Sequence, residues 1–493
     1  MSEAAPALAY AFARQHGLLL LALGDGPARV GMREGASPAG LVEVRRALDR
    51  PLDIQVLSRD DFDRRLSEAY AGNGLVGAEG IGQGDDLDAL ADDLPATADL
   101  LDAQDDAPVI RLINGLIAEA ARSGASDVHI EPFESALLVR FRIDGVMREA
   151  LTLPPRLAPM LVSRVKVMAR LDIAERRVPQ DGRISLAMGT KALDVRVSTL
   201  PARNGERVVM RILDKGAGAR PLEALGMPAP VLAALRTALA QPNGIVLVTG
   251  PTGSGKTTTL YAGLQALNDG SRNILTVEDP VEYAVDGIGQ TQVNARVGMS
   301  FAAGLRAILR QDPDVVMIGE IRDPETAQIA VQASLTGHLV MSTVHTNDAL
   351  GAITRLRDMG IESFLLASTV RLVLAQRLIR RLCPHCRQPR APDVLSARLM
   401  GPDYGGPLFA AAGCPQCQQS GYAGRIGVYE AVNIDERLRA LIGAGADEDA
   451  LAGAAAVSGD WLADSARACV AAGTTTPEEA LRVVRQDERS MPA

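Results

Sequence analysis

Gly250-Pro251-Thr252-Gly253-Ser254-Gly255-Lys256-Thr257-Thr258 fits the spacing G-x-x-x-x-G-K-[ST] of a phosphate-binding loop. An apolar run, Ile245 to Val248, precedes it and reads as a buried strand; a helical pattern from Thr257 to Leu267 follows. Glycines let backbone N–H groups curl around an anion, and the helix N-terminus adds partial positive charge. In that setting Lys256 is expected to reach the β- and γ-phosphates of a nucleotide and Thr257 to hold Mg²⁺. A glycine-rich turn without a ligand is the competing reading. The strand before the loop and the helix after it favour the nucleotide site.

The chain has 493 residues, enough for several domains, and its 47% hydrophobic content supports real cores. Only 3% is aromatic, so those cores are aliphatic. No apolar stretch approaches the ~18 residues of a membrane span, and the N-terminus lacks the basic and apolar regions of a signal peptide. The expectation is a cytoplasmic protein that meets a membrane through partners. The net charge of −9 belongs to one segment. Between Arg65 and Arg111 there is no Lys or Arg, but there are Glu68, Glu79 and nine Asp. Without those acids, 49 acidic residues face 51 basic ones, and no basic stripe marks a nucleic-acid partner.

Residues 1–70 read as a small α+β unit with no catalytic set, hence an N-terminal docking domain. Residues 71–107, rich in Gly, Asp and Ala, read as an acidic flexible linker. A Ca²⁺ loop is the alternative there, but the D-x-D-x-D-G…E spacing is missing. Residues 108–218 form a second α+β domain, with a hairpin turn at Asp144-Gly145. Residues 219–380 alternate strands (245–249, 273–277, 315–318, 339–343) with helices, the pattern of an α/β nucleotide-binding core. Residues 381–425 carry the cysteine pairs. Residues 426–493 look mostly helical, the last helix opened by Thr476 as cap with Glu479 completing a capping box.

Hydrolysis of a phosphoanhydride needs Mg²⁺, a positioned water and positive charge at the γ-phosphate. Val315 to Ile318 ends in Gly319-Glu320, and an acid at the end of such a strand lies beside the phosphate loop. Glu320 is therefore the candidate for polarising the attacking water. Glu278 ends a second strand and is the second candidate carboxylate. His338 and His345 bracket the strand Leu339 to Thr343; a histidine past a strand end either senses the γ-phosphate or is structural. Arg306, Arg310 and Arg322 flank the acid-bearing strand, and Arg183 and Arg196 lie in the preceding domain. Each suits bidentate phosphate contact, though most arginines are solvated.

Cys383/Cys386 and Cys414/Cys417 form two C-x-x-C pairs separated by 27 residues. Two such knuckles complete a tetrahedral Cys₄ zinc site of structural type. The gap exceeds the usual ~15–20 residues, so the intervening loop must fold as a lobe of its own. Redox chemistry is the alternative use of a C-x-x-C pair.

Taken together these motifs resemble the secretion ATPases of the type II/type IV pilus superfamily. The matching blocks are GPTGSGKTTTL (250–260), ILTVEDPVEY (274–283), GLRAILRQDPDVVMIGEIRD (304–323) and TGHLVMSTVHTND (336–348). Upstream, ASDVHIEP (125–132), FRIDGVMRE (141–149) and residues 180–213 resemble the family's second N-terminal domain. The resemblance covers about residues 108–493. It implies a RecA-like P-loop ATPase core, a preceding PAS-like α+β domain, a tetracysteine zinc module and an N-terminal docking domain. It implies that Lys256 and Thr257 bind ATP and Mg²⁺, that Glu320 is the catalytic Walker B glutamate, and that Glu278 and His345 are the Asp-box and His-box residues. Arg183 and Arg196 match arginines that reach the nucleotide on domain closure; Arg306, Arg310 and Arg322 match further nucleotide or interface arginines. The resemblance also implies a homo-hexameric ring working on inner-membrane partners. Retraction ATPases lack the cysteine module. LAYAFARQHGLLL (8–20) is closer to the type II secretion branch than to the pilus-assembly branch. A DNA-uptake or conjugation ATPase and a non-catalytic scaffold are the readings from other classes.

Overall fold

A computed structural model describes residues 16–23, 26–48, 50–58, 107–188, 191–214, 220–455 and 461–484, together with Leu8, Phe12, Ala13, Asp61, Phe62, Arg65 and Leu87. Most of residues 4–15, most of residues 59–70, and the acidic segment 71–107 (apart from Leu87 and Ala107) lie outside the described residues. The chain divides into two compact units, Met1–Gly216 and Ala217–Ala493.

The first unit carries two sheets. Strands β1 (Leu18–Ala22), β2 (Ala28–Arg33) and β3 (Leu52–Leu57) form a small sheet in that order. β1 and β2 are antiparallel, whereas β2 and β3 are parallel. A parallel pair needs a crossover, which the helix Ala39–Leu48 supplies, burying Val44 against Leu18 and Val30.

The second sheet has six antiparallel strands. They are β4 (Ala125–Pro132), β5 (Leu137–Ile143), β6 (Val146–Leu153), β7 (Gln180–Met188), β8 (Lys191–Ala202) and β9 (Gly205–Asp214), in the spatial order β6-β5-β4-β9-β8-β7. Asp144 and Gly145 both have positive φ (50° and 83°), as the tight β5–β6 hairpin requires. One sheet face is apolar and packs on the helices Ala107–Arg122 and Ala158–Met168 through Leu112, Ile113, Leu161 and Val165. The other face carries charge. The register sets Arg142 opposite Asp127, Asp127 opposite Arg211, Arg211 opposite Arg196 and Arg196 opposite Arg183, in one row across five strands. Inside the unit, fully buried Lys166 pairs with buried Glu206 and donates to the Glu175 carbonyl at 2.7 Å.

The second unit is built on a seven-stranded sheet. Its strands are β10 (Gly244–Thr249), β11 (Ile274–Glu278), β12 (Gly289–Gln292), β13 (Val315–Ile318), β14 (Leu339–Val344), β15 (Val370–Leu382) and β18 (Tyr422–Asn433). Two short strands, β16 (Arg387–Pro389) and β17 (Phe409–Ala411), pair with each other in the cysteine lobe. The spatial order is β12-β11-β13-β14-β10-β15-β18, parallel throughout except for the β15–β18 pair. The strands β10, β13 and β14 are buried along their whole length, as parallel strands covered on both faces must be. Helices Ala229–Leu239 and Lys256–Leu267 cover one face. Helices Phe301–Ile308, Pro324–Leu335 and Ala349–Asp358 cover the other.

The structure departs from the sequence expectations at five places. Strands β12 and β15 and the short helix Ser363–Thr369 are additional elements. Residues 426–433 are strand, not helix: β18 adds antiparallel to β15 from Leu372↔Asn433 to Leu382↔Tyr422. Leucine and arginine dominate β15 and favour helix intrinsically, but hydrogen bonding to β10 on one side and β18 on the other overrides that preference. The last helix, Pro477–Val484, is capped by Thr476, whose hydroxyl accepts from Glu479 N at 3.3 Å. Glu479 does not complete a reciprocal box. Its carboxylate accepts instead from Arg380, from Nη2 at 2.7 Å and from the backbone N at 3.2 Å, tying the C-terminal helix to β15.

Removing one member of a buried ion pair strands the other charge. Lys166→Ala is expected to destabilise the first unit by about 3–5 kcal/mol, read as a drop in the midpoint of its urea unfolding transition.

Candidate functional site

The phosphate loop leaves the carboxyl end of β10, between β14 and β15. Gly250, Gly253 and Gly255 have φ of 141°, 79° and 90°, conformations that L side chains rarely adopt. A Cβ on Gly250 would stand 2.3 Å from the Gln376 carbonyl oxygen, so the loop approaches β15 more closely than any side chain permits. Pro251, Thr252 and Gly253 are exposed at the crest, and Ser254 and Lys256 are buried. Thr257 and Thr258 are exposed on the first turn of the following helix. Lys256 Nζ folds back and donates to the carbonyls of Gly250 (2.8 Å) and Pro251 (3.0 Å). Burial pushes its ammonium below the ordinary lysine range, while the negative charge of Glu320 pulls it up.

Glu320 follows β13 and is 14% exposed. One oxygen accepts from Arg322 Nη2; the other lies 3.3 Å from His345 Nε2. The bond to Glu320 raises the Arg322 guanidinium above its usual value. The carboxylate's place is set through the backbone before it. Thr343 Oγ1 donates to the Gly319 carbonyl at 2.8 Å, and Ser342 Oγ to that of Ile318 at 2.9 Å. Thus Lys256, Glu320, Arg322 and His345 form one charge cluster at the strand ends. Among the two histidines singled out from sequence, only His345 belongs to it. His338 sits before β14, its Nδ1 2.8 Å from the Ala333 carbonyl oxygen and 3.1 Å from Thr336 Oγ1, in a structural setting.

Glu278 lies at the end of β11 and is 3% exposed. Three donors enclose it: Tyr261 O–H, Thr276 Oγ1 at 2.6 Å and Gln290 Nε2 at 3.2 Å. Burial, then the bond to Glu278, drives the Tyr261 phenol far above its normal range, so it stays a donor. Burial and the Glu278 charge likewise push Tyr283 up to about 12. Tyr261 and Gln290 were not anticipated from the sequence; neither belongs to a motif, and only the fold brings them to Glu278.

Arg306 pairs with exposed Glu325 at 2.5 Å, and Arg310 donates to the Arg306 carbonyl at 2.8 Å. Arg183 and Arg196 belong to the first unit, in the row that also holds Arg211 and Arg142. Like charges set directly opposite on neighbouring strands cost stability. Asp127 meets Arg211 Nε at 2.9 Å and Arg142 Nε at 3.7 Å, so one carboxylate serves two guanidiniums of the row. The register also makes Arg211, on β9, a neighbour of Arg196.

The second cluster is the cysteine set. Cys383, Cys386, Cys414 and Cys417 place their sulfurs within 4.8 Å of one another. Cys383–Cys414 is 3.8 Å, and Cys386–Cys417 and Cys414–Cys417 are each 3.7 Å. A tetrahedral ion with ~2.3 Å bonds to sulfur sets its ligands about 3.8 Å apart, so the donor set fits zinc. Burial raises the Cys417 thiol, but the backbone N–H groups of Cys414 (3.2 Å) and Gly421 (3.1 Å) outweigh it, and its pKa falls to about 6. Such N–H···S bonds favour the thiolate that a metal requires. Around the lobe, Arg380 stacks over Tyr422 at 3.9 Å and Arg387 over Phe409 at 4.9 Å.

A glycine loop between a central parallel strand and its helix, with acids at the carboxyl ends of two further strands of the same sheet, defines a RecA-like phosphate-loop nucleotide-binding core. Comparison with known proteins makes the assignment specific. Residues 102–482 match the family model "Type II/IV secretion system protein", and residues 7–70 match the model of the first N-terminal domain of "GSPII protein E". The chain is 54% identical over 485 residues to the type II secretion system protein E of Pseudomonas aeruginosa, covering 97% of this chain and 96% of that one. It is 54% identical over 456 residues to the type II secretion system ATPase E of Vibrio cholerae, covering 91% of each. Among solved structures, the pilus retraction motor PilT with bound ADP is 27% identical, with a TM-score of 0.52 over 76% of this chain and 98% of that one. The Legionella pneumophila ATPase DotB shares the fold at 20% identity, with a TM-score of 0.57 over 76% of this chain and 95% of that one. The chain belongs to the type II secretion system protein E family, within the type II/IV secretion ATPases.

A methyl group at Gly250 meets both the Gln376 carbonyl and an unfavourable φ. Gly250→Ala is expected to weaken binding of a fluorescent ATP analogue by at least about tenfold, roughly the effect of 1–3 kcal/mol of local strain, in a binding titration.

Proposed function

We propose that this chain is a cytoplasmic ATP hydrolase that powers pseudopilus assembly and protein export in type II secretion, as a homo-hexamer held peripherally at the inner membrane by partners. The observation that carries the enzyme reading is the position of Glu320. It ends a buried strand beside the phosphate loop, held between Arg322 and His345 and electrostatically coupled to Lys256. The relatives' names and the match of residues 7–70 to a protein E first domain support the branch. Among the described residues no helix is long and apolar enough to cross a membrane, in keeping with attachment through partners.

In this reading the backbone N–H groups of Gly253 to Thr257 cradle the β- and γ-phosphates. Lys256 exchanges its bonds to the Gly250 and Pro251 carbonyls for phosphate oxygens. Thr257, exposed at the loop's end, would hold Mg²⁺. Mg²⁺, when bound, neutralises charge on the β- and γ-oxygens. Glu320 polarises the attacking water, and His345, 3.3 Å from it, senses the γ-phosphate. Glu278 fixes the end of β11; to serve as the second carboxylate of the site it must exchange one of its three donors. Arg183 and Arg196, opposite each other in the row, are the residues of the first unit assigned to the nucleotide. Arg306, Arg310 and Arg322 supply further positive charge at the nucleotide or at a subunit boundary.

The division of labour follows the sequence. Residues 1–70 dock on the cytoplasmic part of an inner-membrane secretion protein, 71–107 tether, 108–218 close on the nucleotide and 219–380 hydrolyse it. Residues 381–425 are a zinc-stapled lobe, and 426–493 finish the core.

Glu320→Gln is expected to lower ATP turnover at least about 100-fold with ATP binding kept, whereas Lys256→Ala loses binding; phosphate release and analogue titration check the two separately. The full chain as bait is expected to recover the inner-membrane secretion platform, and recovery of a pilus platform instead overturns the branch. Elemental analysis is expected to find about one zinc per chain, as a Cys₄ site holds, and Cys414→Ser is expected to lose it together with several degrees of melting temperature.

A further inference from the structure

We propose that Gln376 and Arg377, neighbours on β15, are positioning residues for the nucleotide site. Gln376 sets the phosphate loop and Arg377 sets the loop that carries His345. The proposal rests on the reading of that site as an ATPase centre.

Both side chains are buried in the sheet, at 3% and 4% exposure. Polar groups in a strand otherwise apolar at its centre cost free energy unless they are bonded, so their partners show what they are for. Gln376 Oε1 accepts from Thr259 Oγ1 at 2.6 Å, on the first turns of the helix that follows the phosphate loop. That bond orients the amide, and Nε2 then lies against Gly255, 2.8 Å from where a Cβ on that residue would stand. The backbone carbonyl of the same Gln376 bars a side chain at Gly250. One residue of β15 therefore touches the beginning of the loop, its end and its helix.

Successive strand residues face opposite sides of a sheet. Gln376 shares its face with Leu372 and Leu374, which pack with Leu260 and Tyr261 of the loop's helix. Arg377 shares the opposite face with Val373 and Ala375, which pack with Ala349 and Leu350. There Arg377 Nη2 donates to the Asn347 carbonyl at 3.0 Å, two residues beyond His345. Glu430, opposite Ala375 on β18, accepts from Ala349 N at 3.1 Å and holds the far end of the same loop. Two consecutive residues thus fix the two loops that meet the nucleotide, one from each face. Neither touches the reacting atoms, so their effects divide. Gln376 governs how well the loop receives phosphate, and Arg377 governs where His345 stands relative to Glu320.

The test uses the full chain and two readouts, the dissociation constant of a fluorescent ATP analogue and the turnover number, with melting temperature followed in parallel. Thr259→Val and Gln376→Leu are each expected to raise the dissociation constant about fivefold, the scale of one lost hydrogen bond, with turnover at saturating ATP within twofold. Thr259→Ser is expected to restore binding. Arg377→Gln is expected to lower turnover about tenfold, on the scale of a misplaced acid–base partner, with the dissociation constant within twofold. Arg377→Lys, which keeps charge but not the planar fork, replaces it if the glutamine variant does not fold. The proposal is overturned if the two sets of variants shift binding and turnover together, if neither quantity moves, or if Thr259→Ser fails to restore binding. A wild-type chain that neither binds nor hydrolyses ATP would defeat the reading of the site itself, whatever the variants do.

Discussion

The second unit depends on the placement of β10 between two parallel neighbours. Thr249 pairs with Val344 on one side and with Ala375 on the other, so three strands end or pass at one level. The hydroxyl of Thr249 bonds the Val344 carbonyl at 2.9 Å and that of Thr346 at 3.1 Å, fastening the start of the phosphate loop to the segment that carries His345. With β13 beside β14, Glu320 arrives at the same edge. The strands β10, β13 and β14 are covered on both faces, and a one-residue slip would exchange the side chains that pack on the helices of the two faces. Register is therefore strongly determined, and with it the geometry of the site.

Within that frame, charge does the remaining work. Lys256 is drawn down by burial and supported by Glu320, and Glu320 is in turn held by Arg322 and His345. Such a cluster is poised for an incoming anion, because Lys256 and Arg322 both have bonds that phosphate oxygens can replace. Glu278 occupies a different environment. It is sealed by neutral donors and fixes an edge of the sheet through Gln290 and Tyr261. Two carboxylates at neighbouring strand ends, alike in sequence context, are thus separated by burial into an exchangeable one and an enclosed one.

The cysteine lobe is joined to this frame through the same strand that supports the loops. β15 runs from Val370 to Leu382, one residue before Cys383, and β18 returns from Tyr422, beyond Cys417. Thr475 and Glu479 of the C-terminal segment bond Arg380 on β15, and Arg387 donates to the Gly473 carbonyl at 2.8 Å. The lobe therefore has a root fastened to the sheet and to the C-terminal segment together.

Much of this was legible in the chain as written. The phosphate loop, Glu320 and the two cysteine pairs depend on local spacing, and local spacing survives into three dimensions because a strand–loop–helix unit and a C-x-x-C knuckle are each built from adjacent residues. The hairpin at Asp144-Gly145 was visible for the same reason. What tertiary structure alone decided depends on partners distant in sequence. β15 became a strand because pairing outweighed its leucine- and arginine-rich composition, and residues 426–433 became one by pairing with it. Gln376 meets Thr259 across 117 positions, and Arg211 meets Asp127 across 84. Glu479 turned from its expected cap to Arg380, because a guanidinium brought by the sheet binds a carboxylate better than a neutral backbone N–H. The sequence determined which groups are candidates for the chemistry. The packing of the sheet decided which of them meet, since only long-range pairing fixes distance between residues that the chain itself keeps far apart.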